Sequence, residues 1–126
     1  MITPEKITTL KHNEIFVFGS NTKGSHDGGA ALYANIHFGA IYGIGEGLEG
    51  QSYAFPTLDC DMKQIPLNDW IPSIKDLIQT AINNSDKIFI VTKLGCGIAG
   101  FEEVDVSELF RAFTYPNNMI LPKNWK

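Results

Sequence analysis

The sequence predicts an α/β fold with a largely parallel or mixed sheet. Two observations carry that expectation. Short β-branched or aromatic runs alternate with stretches whose apolar residues recur at helical spacing. Glycine is also concentrated in two places: nine of the twelve lie from Gly19 to Gly50, and the others are Gly95, Gly97 and Gly100. Ligands on such sheets gather at the carboxyl ends of the strands, and both glycine regions follow predicted strands.

Taken in order, EIFVF (14–18) reads as a short buried strand. GGAALYANIHFG follows as a helix, with Gly39 placed to end it. AIYG (40–43) is expected as a short strand, and the segment GIGEGLEG as a solvated loop or an acidic lid. SYAFPT is a strand ending near Pro56. Asn68 is expected to cap a helix through DWIPSIKDLIQTAIN, where Pro72 is tolerated in the first turn. The apolar positions Ile71, Ile74, Leu77, Ile78, Ala81 and Ile82 keep the helical period. KIFIVT is the clearest strand, Val106, Leu109, Phe110 and Phe113 mark a third helix, and NMIL is a terminal strand.

The 126 residues fit a single domain, 1–126. A net charge of −4 with scattered lysines gives no electrostatic case for broad nucleic-acid or membrane-surface binding. Cys60 and Cys96 have neither zinc-ligand spacing nor the pattern of a disulfide scaffold, so neither a metal nor a resident cofactor is expected. MITPEKITTLKHNE has no apolar core of a secretory signal, and the expected setting is cytoplasmic.

Three glycine motifs compete as phosphate loops. GSNTKGS (19–25) has Walker spacing, but Ser25 stands where the lysine is needed. GEGLEG (45–50) runs towards a strand, and its two glutamates would repel a pyrophosphate. GCGIAG (95–100) has the right context, a strand before and a helix after. The acidic residue that would hold a ribose in a hydride-transfer site is missing from the segment YPNNMILPKNWK. Backbone amides at the helix start remain able to hold a phosphate.

VFGSN, then HDGGAALYA, then GCGIAGF together resemble the macrodomain superfamily. The nearest pattern is that of the terminal ADP-ribose glycohydrolases, matched here by Gly28–Gly29–Ala30, Phe38–Gly39 and Leu94–Gly95–Cys96–Gly97–Ile98 over roughly residues 14–113. The resemblance implies a three-layer, Rossmann-like fold that binds ADP-ribose or an ADP-ribosylated substrate. Gly19, Ser20 and Asn21 would face the ribose, and Gly28, Gly29 and Ala30 would flank the ligand. The loop from Gly95 through Cys96, Gly97, Ile98, Ala99 and Gly100 to Phe101 would wrap the phosphates. Phe101, a lone aromatic beside an apolar helix, reads more readily as a core residue than as a platform for adenine. The catalytic lysine and aspartate of that branch fall on Leu58 and Ala99, which cannot do the chemistry.

His26–Asp27 before the Gly-Gly helix start, and Asp59 and Asp61 after the middle strand, are the remaining candidates for a general base. Asp27 or Asp59 is expected to activate a water in hydrolysis of an ADP-ribosyl ester or glycosidic bond. Their structural alternatives are a helix cap for Asp27 and a turn for Asp59. Lys93 either assists a phosphate or ends its strand in water, and Cys96 lacks an obvious base. Two other classes stay open: a Rossmann-like binder of a different nucleotide or phosphate ligand, and a non-enzymatic interaction domain. The sequence leaves the oligomeric state unspecified.

Overall fold

The computed structural model describes residues 1–126. Its elements in chain order are β1 (Glu14–Asn21), α1 (Gly29–His37), β2 (Gly47–Glu49), β3 (Ser52–Leu58), α2 (Ile71–Asn83), β4 (Ile88–Val91), α3 (Glu103–Arg111) and β5 (Met119–Ile120). The five strands form one mixed sheet in the order β2-β3-β1-β4-β5. Strands β3, β1, β4 and β5 run parallel, and β2 joins the edge antiparallel to β3.

Alternation along β1 divides the protein into its layers. Ile15 and Val17 face a 17-residue core shared with Trp70, Ile74 and Leu77 near α2 and with Val106 and Phe110 of α3. Phe16 and Phe18 face a 7-residue core with Ala31, Ala34 and Phe38 of the α1 segment. Each fully buried large apolar side chain contributes about 1.5–3 kcal/mol. Most hydrophobic stabilisation therefore lies on the α2/α3 face, and the α1 face is left thin.

An extended N-terminal arm covers the part of that thin face that α1 does not reach. Thr3 Oγ donates to the Val91 carbonyl at 2.6 Å, Ile2 bridges to Leu121, and Ile7 and Leu10 pack against the smaller core.

Local chemistry explains where the elements differ from expectation. Residues 40–43 form no strand, because this segment bends back over the loop after β1: the Gly43 amide donates to the Gly24 carbonyl at 2.9 Å. Part of the Gly/Glu segment, Gly47–Glu49, is an edge strand rather than a lid. Asn68 does not cap α2. A 3-10 turn over Leu67–Trp70 feeds the helix directly, and Pro72 sits in its first turn as expected. Gly39, at φ +82, occupies the left-handed position just beyond α1.

From β1 the chain passes through α1 and pairs β3 on one side, then crosses through α2 to pair β4 on the other. The loops leaving β1 and β4 thus diverge at adjacent strands. That is the topological switch point, where a crevice opens at the carboxyl ends of a parallel sheet.

Candidate functional site

A cleft of about 720 Å³ lies at this switch point, between the loop after β1 and the loop after β4. The first loop is shaped by its own polar groups. Asn21 Nδ2 donates to the Ser25 carbonyl at 2.8 Å, and Asn21 Oδ1 accepts the Ser25 amide at 3.0 Å. Ser20 Oγ donates to the Gly45 carbonyl. The wholly buried His26 ring lies 3.0 Å through Nε2 from the Ile41 carbonyl, so Nε2 carries the proton. Its Nδ1 has no partner. The loop is thereby clamped onto residues 39–45 and delivers Asp27, Gly28 and Gly29 to the cleft.

The helix start that follows has no side-chain cap. Gly28 is the N-cap residue, and Asp27 instead accepts from Ser25 Oγ at 3.2 Å. The amides of Gly29, Ala30 and Ala31 donate to no protein acceptor, as geometry requires of a helix's first turn. They carry the partial positive charge of the helix end.

The second loop turns its carbonyls inward. Phe101 N–H donates to the Gly95 carbonyl at 2.8 Å, Gly100 N–H to Gly97 at 3.0 Å, and Gln64 Nε2 to Ala99 at 2.8 Å. With those oxygens engaged, the amides of Gly97, Ile98 and Ala99 have no acceptor in the protein. Consecutive unpartnered amides in a turn leave three donors exposed to the cleft. Gly95 has φ +76 and sits under Trp70, whose Cη2 would lie 2.7 Å from an added Cβ. Ile98 reaches across the cleft, its Cδ1 only 3.0 Å from where a Cβ on Gly29 would stand and 3.3 Å from one on Gly28. Both glycines leave room for that contact.

Among the residues expected at the site, Gly19, Ser20 and Asn21 line the cleft, as do Gly28, Gly29 and Ala30. Gly95, Gly97, Ile98 and Ala99 line it too. Cys96, Gly100 and Phe101 do not. Phe101 packs edge-on against Trp70, with ring centroids 5.0 Å apart, on the side of the larger core. Burial, with the Glu103 carboxylate adding to it, pushes the Cys96 thiol up to about 11, so it carries little thiolate at neutral pH. Ser20 and Asn21 are both buried, and the bonds above commit the Ser20 hydroxyl to the Gly45 carbonyl and both ends of the Asn21 amide to the loop itself.

The two candidate carboxylates are placed differently. Asp27 is exposed and is the sole acidic residue lining the cleft. Asp59 lies outside the lining, its Oδ1 accepting the amides of Asp61 and Lys63 at 2.8 and 3.0 Å. Leu58 and Ala99 both line the cleft and supply no acid, base or charge.

Sequence reasoning missed Thr57 and Thr92, which line the floor. Thr92 Oγ1 donates to the Val17 carbonyl at 2.8 Å. Their position at the carboxyl ends of β3 and β4 was the available signal. Lys93 also lines the cleft and is held by Glu103 at 3.2 Å and Glu5 at 3.8 Å. The hydrogen bond and charge of Glu103 raise the Lys93 pKa above its ordinary value, so the ammonium stays charged.

A second cavity, of about 690 Å³, was also unforeseen. It lies under the N-terminal arm and shares Gly29, Ala30, Thr92 and Lys93 with the cleft. Ile7, Phe16 and Tyr33 give it an apolar and aromatic wall. No helix of the chain is long and apolar enough to cross a membrane. A scan against protein-family models found no match, and searches of curated proteins and of solved structures found none either.

Proposed function

We propose that the protein is a macrodomain-like nucleotide-binding module whose ligand is ADP-ribose or a closely related ADP-ribosyl nucleotide. One observation carries the reading. Two groups of unpartnered backbone amides, at Gly97–Ala99 and at the start of α1, line the same cleft. A diphosphate offers the oxygens such donors need. Lys23, exposed at the cleft wall, adds positive charge in a chain of net charge −4.

The second cavity gives the ligand its length. A nucleotide whose diphosphate lies in the glycine cleft extends its base across the shared wall towards Phe16 and Tyr33, where apolar and aromatic surface suits a purine. The other end of the ligand, its distal ribose, meets Asp27 and Gly28. Hydrolysis at that ribose would use Asp27 as the base for a water, because no other carboxylate lines the cleft.

Calorimetric titration with ADP-ribose, with AMP and NAD as controls, tests the reading. Micromolar binding selective for ADP-ribose is expected. Absence of heat with all three would refute it.

A further inference from the structure

We propose that the second cavity recognises a phosphomonoester on the nucleoside end of the ligand, remote from the diphosphate. The inference rests on the nucleotide reading above and narrows it to a nucleotide phosphorylated on its adenosine ribose.

Charge placement is the first ground. The chain has a net charge of −4, yet three of its nine lysines, Lys6, Lys93 and Lys123, line this one cavity. Two carboxylates also line it, Glu5 and Glu103, both paired with Lys93, which leaves the lining a net charge of +1. Glu103 additionally faces Trp125 Nε1 at 3.4 Å. No carboxylate lies within 4.0 Å of Lys6 or Lys123. Lys6 and Lys123 are both exposed at the cavity wall and have no counter-charge within the protein.

Anchoring of the two walls is the second ground. Lys6 lies on the arm between two fixed points: Thr3, bonded to Val91 and Ile120, and Thr8, whose carbonyl accepts from the Tyr33 hydroxyl at 2.9 Å. Lys123 precedes Asn124, which has φ 71 and whose carbonyl accepts from Arg111. Two secured backbone segments therefore carry one lysine each at the cavity wall. Asn124 lines the same wall. A phosphomonoester carries a charge of about −1.5 to −2 at neutral pH, which matches two ammonium groups, and lysine recognises it as a point charge.

The test compares three ligands by calorimetry on the full chain: ADP-ribose and its 2′- and 3′-phosphorylated forms. One phosphorylated isomer is expected to bind about tenfold more tightly than ADP-ribose at low salt, an advantage that shrinks as salt rises. In the Lys6→Gln/Lys123→Gln double variant that advantage should vanish while affinity for ADP-ribose itself is kept. Equal or weaker binding of both phosphorylated forms by the wild type would overturn this inference and leave the nucleotide reading intact. An advantage that survives in the double variant would also overturn it. No binding of any of the three would overturn both.

Discussion

Replacing Gly97 by glutamate separates the amide cradle from the fold that holds it. Gly97 lies outside the left-handed region, and an added Cβ would meet no heavy atom within 4 Å. The new side chain therefore enters open cleft without displacing a neighbour. Losing a glycine also lowers the entropy of the unfolded chain, worth about 0.4–1 kcal/mol where the native backbone suits the new residue. The melting temperature is expected to hold or to rise by up to roughly 3–6 °C.

Binding responds in the opposite sense. A carboxylate about 5 Å from a diphosphate charge, at an effective dielectric of about 20–40, costs about 1.7–3.3 kcal/mol. That weakens binding about 20- to 250-fold. The same carboxylate also competes for the unpartnered amides. Calorimetry with ADP-ribose, run beside thermal melts and far-ultraviolet circular dichroism, reads both effects, and Gly97→Gln controls for bulk without charge. A folded glutamate variant with wild-type affinity would refute the cradle. A glutamine variant as weak as the glutamate one would show that bulk, not charge, matters.

Gly95→Ala should do the reverse and damage the fold: the left-handed backbone costs about 1–2 kcal/mol and the overpacking against Trp70 about 1–3 kcal/mol more, a loss visible in denaturant melts. A wild-type midpoint would contradict the packing at that loop. Asp27→Asn should keep or strengthen ADP-ribose binding while removing turnover of an ADP-ribosyl ester followed by chromatography, and persistent turnover would clear Asp27 of a catalytic role. At high pH the sign is set by protons held more tightly in the folded state. Burial raises Tyr53 from 10.0 to about 12 and Cys96 from 9.0 to about 11, so their contribution is full below pH 9 and is lost as pH climbs through those folded values. Chemical-denaturation midpoints should therefore fall above pH 9, and a rising midpoint would contradict the assignment. Iodoacetamide at neutral pH should modify the exposed Cys60 and spare Cys96, which mass spectrometry resolves.

The strands and helices that carry the core were legible because their apolar periods are strong. KIFIVT and the Ile74–Leu77–Ala81 stripe each admit one reading, and the structure buries all three stripe residues. The parts that escaped are those set by contacts distant in sequence. Nothing local in AIYG says that residues 40–43 will be pinned under Gly24, and no alternation marks Gly47–Glu49 before β3 is there to pair with it. At the cleft, GCGIAG was legible as a strand-to-helix glycine loop, but which of its residues face inward depends on Trp70 and Gln64, both far away in the chain. Phe101 shows this best: it adjoins the loop in sequence and belongs to the core in space. The second cavity had no sequence signal, because it is built from an arm, a helix and the chain end that meet only in the folded protein.

Backbone amide shifts in a nitrogen-15-labelled sample titrated with ADP-ribose test the central claim most directly. The largest changes should fall together at Gly97, Ile98 and Ala99 and at Gly29, Ala30 and Ala31, saturating with one binding constant. Saturable binding that leaves both groups of amides unmoved would contradict that claim.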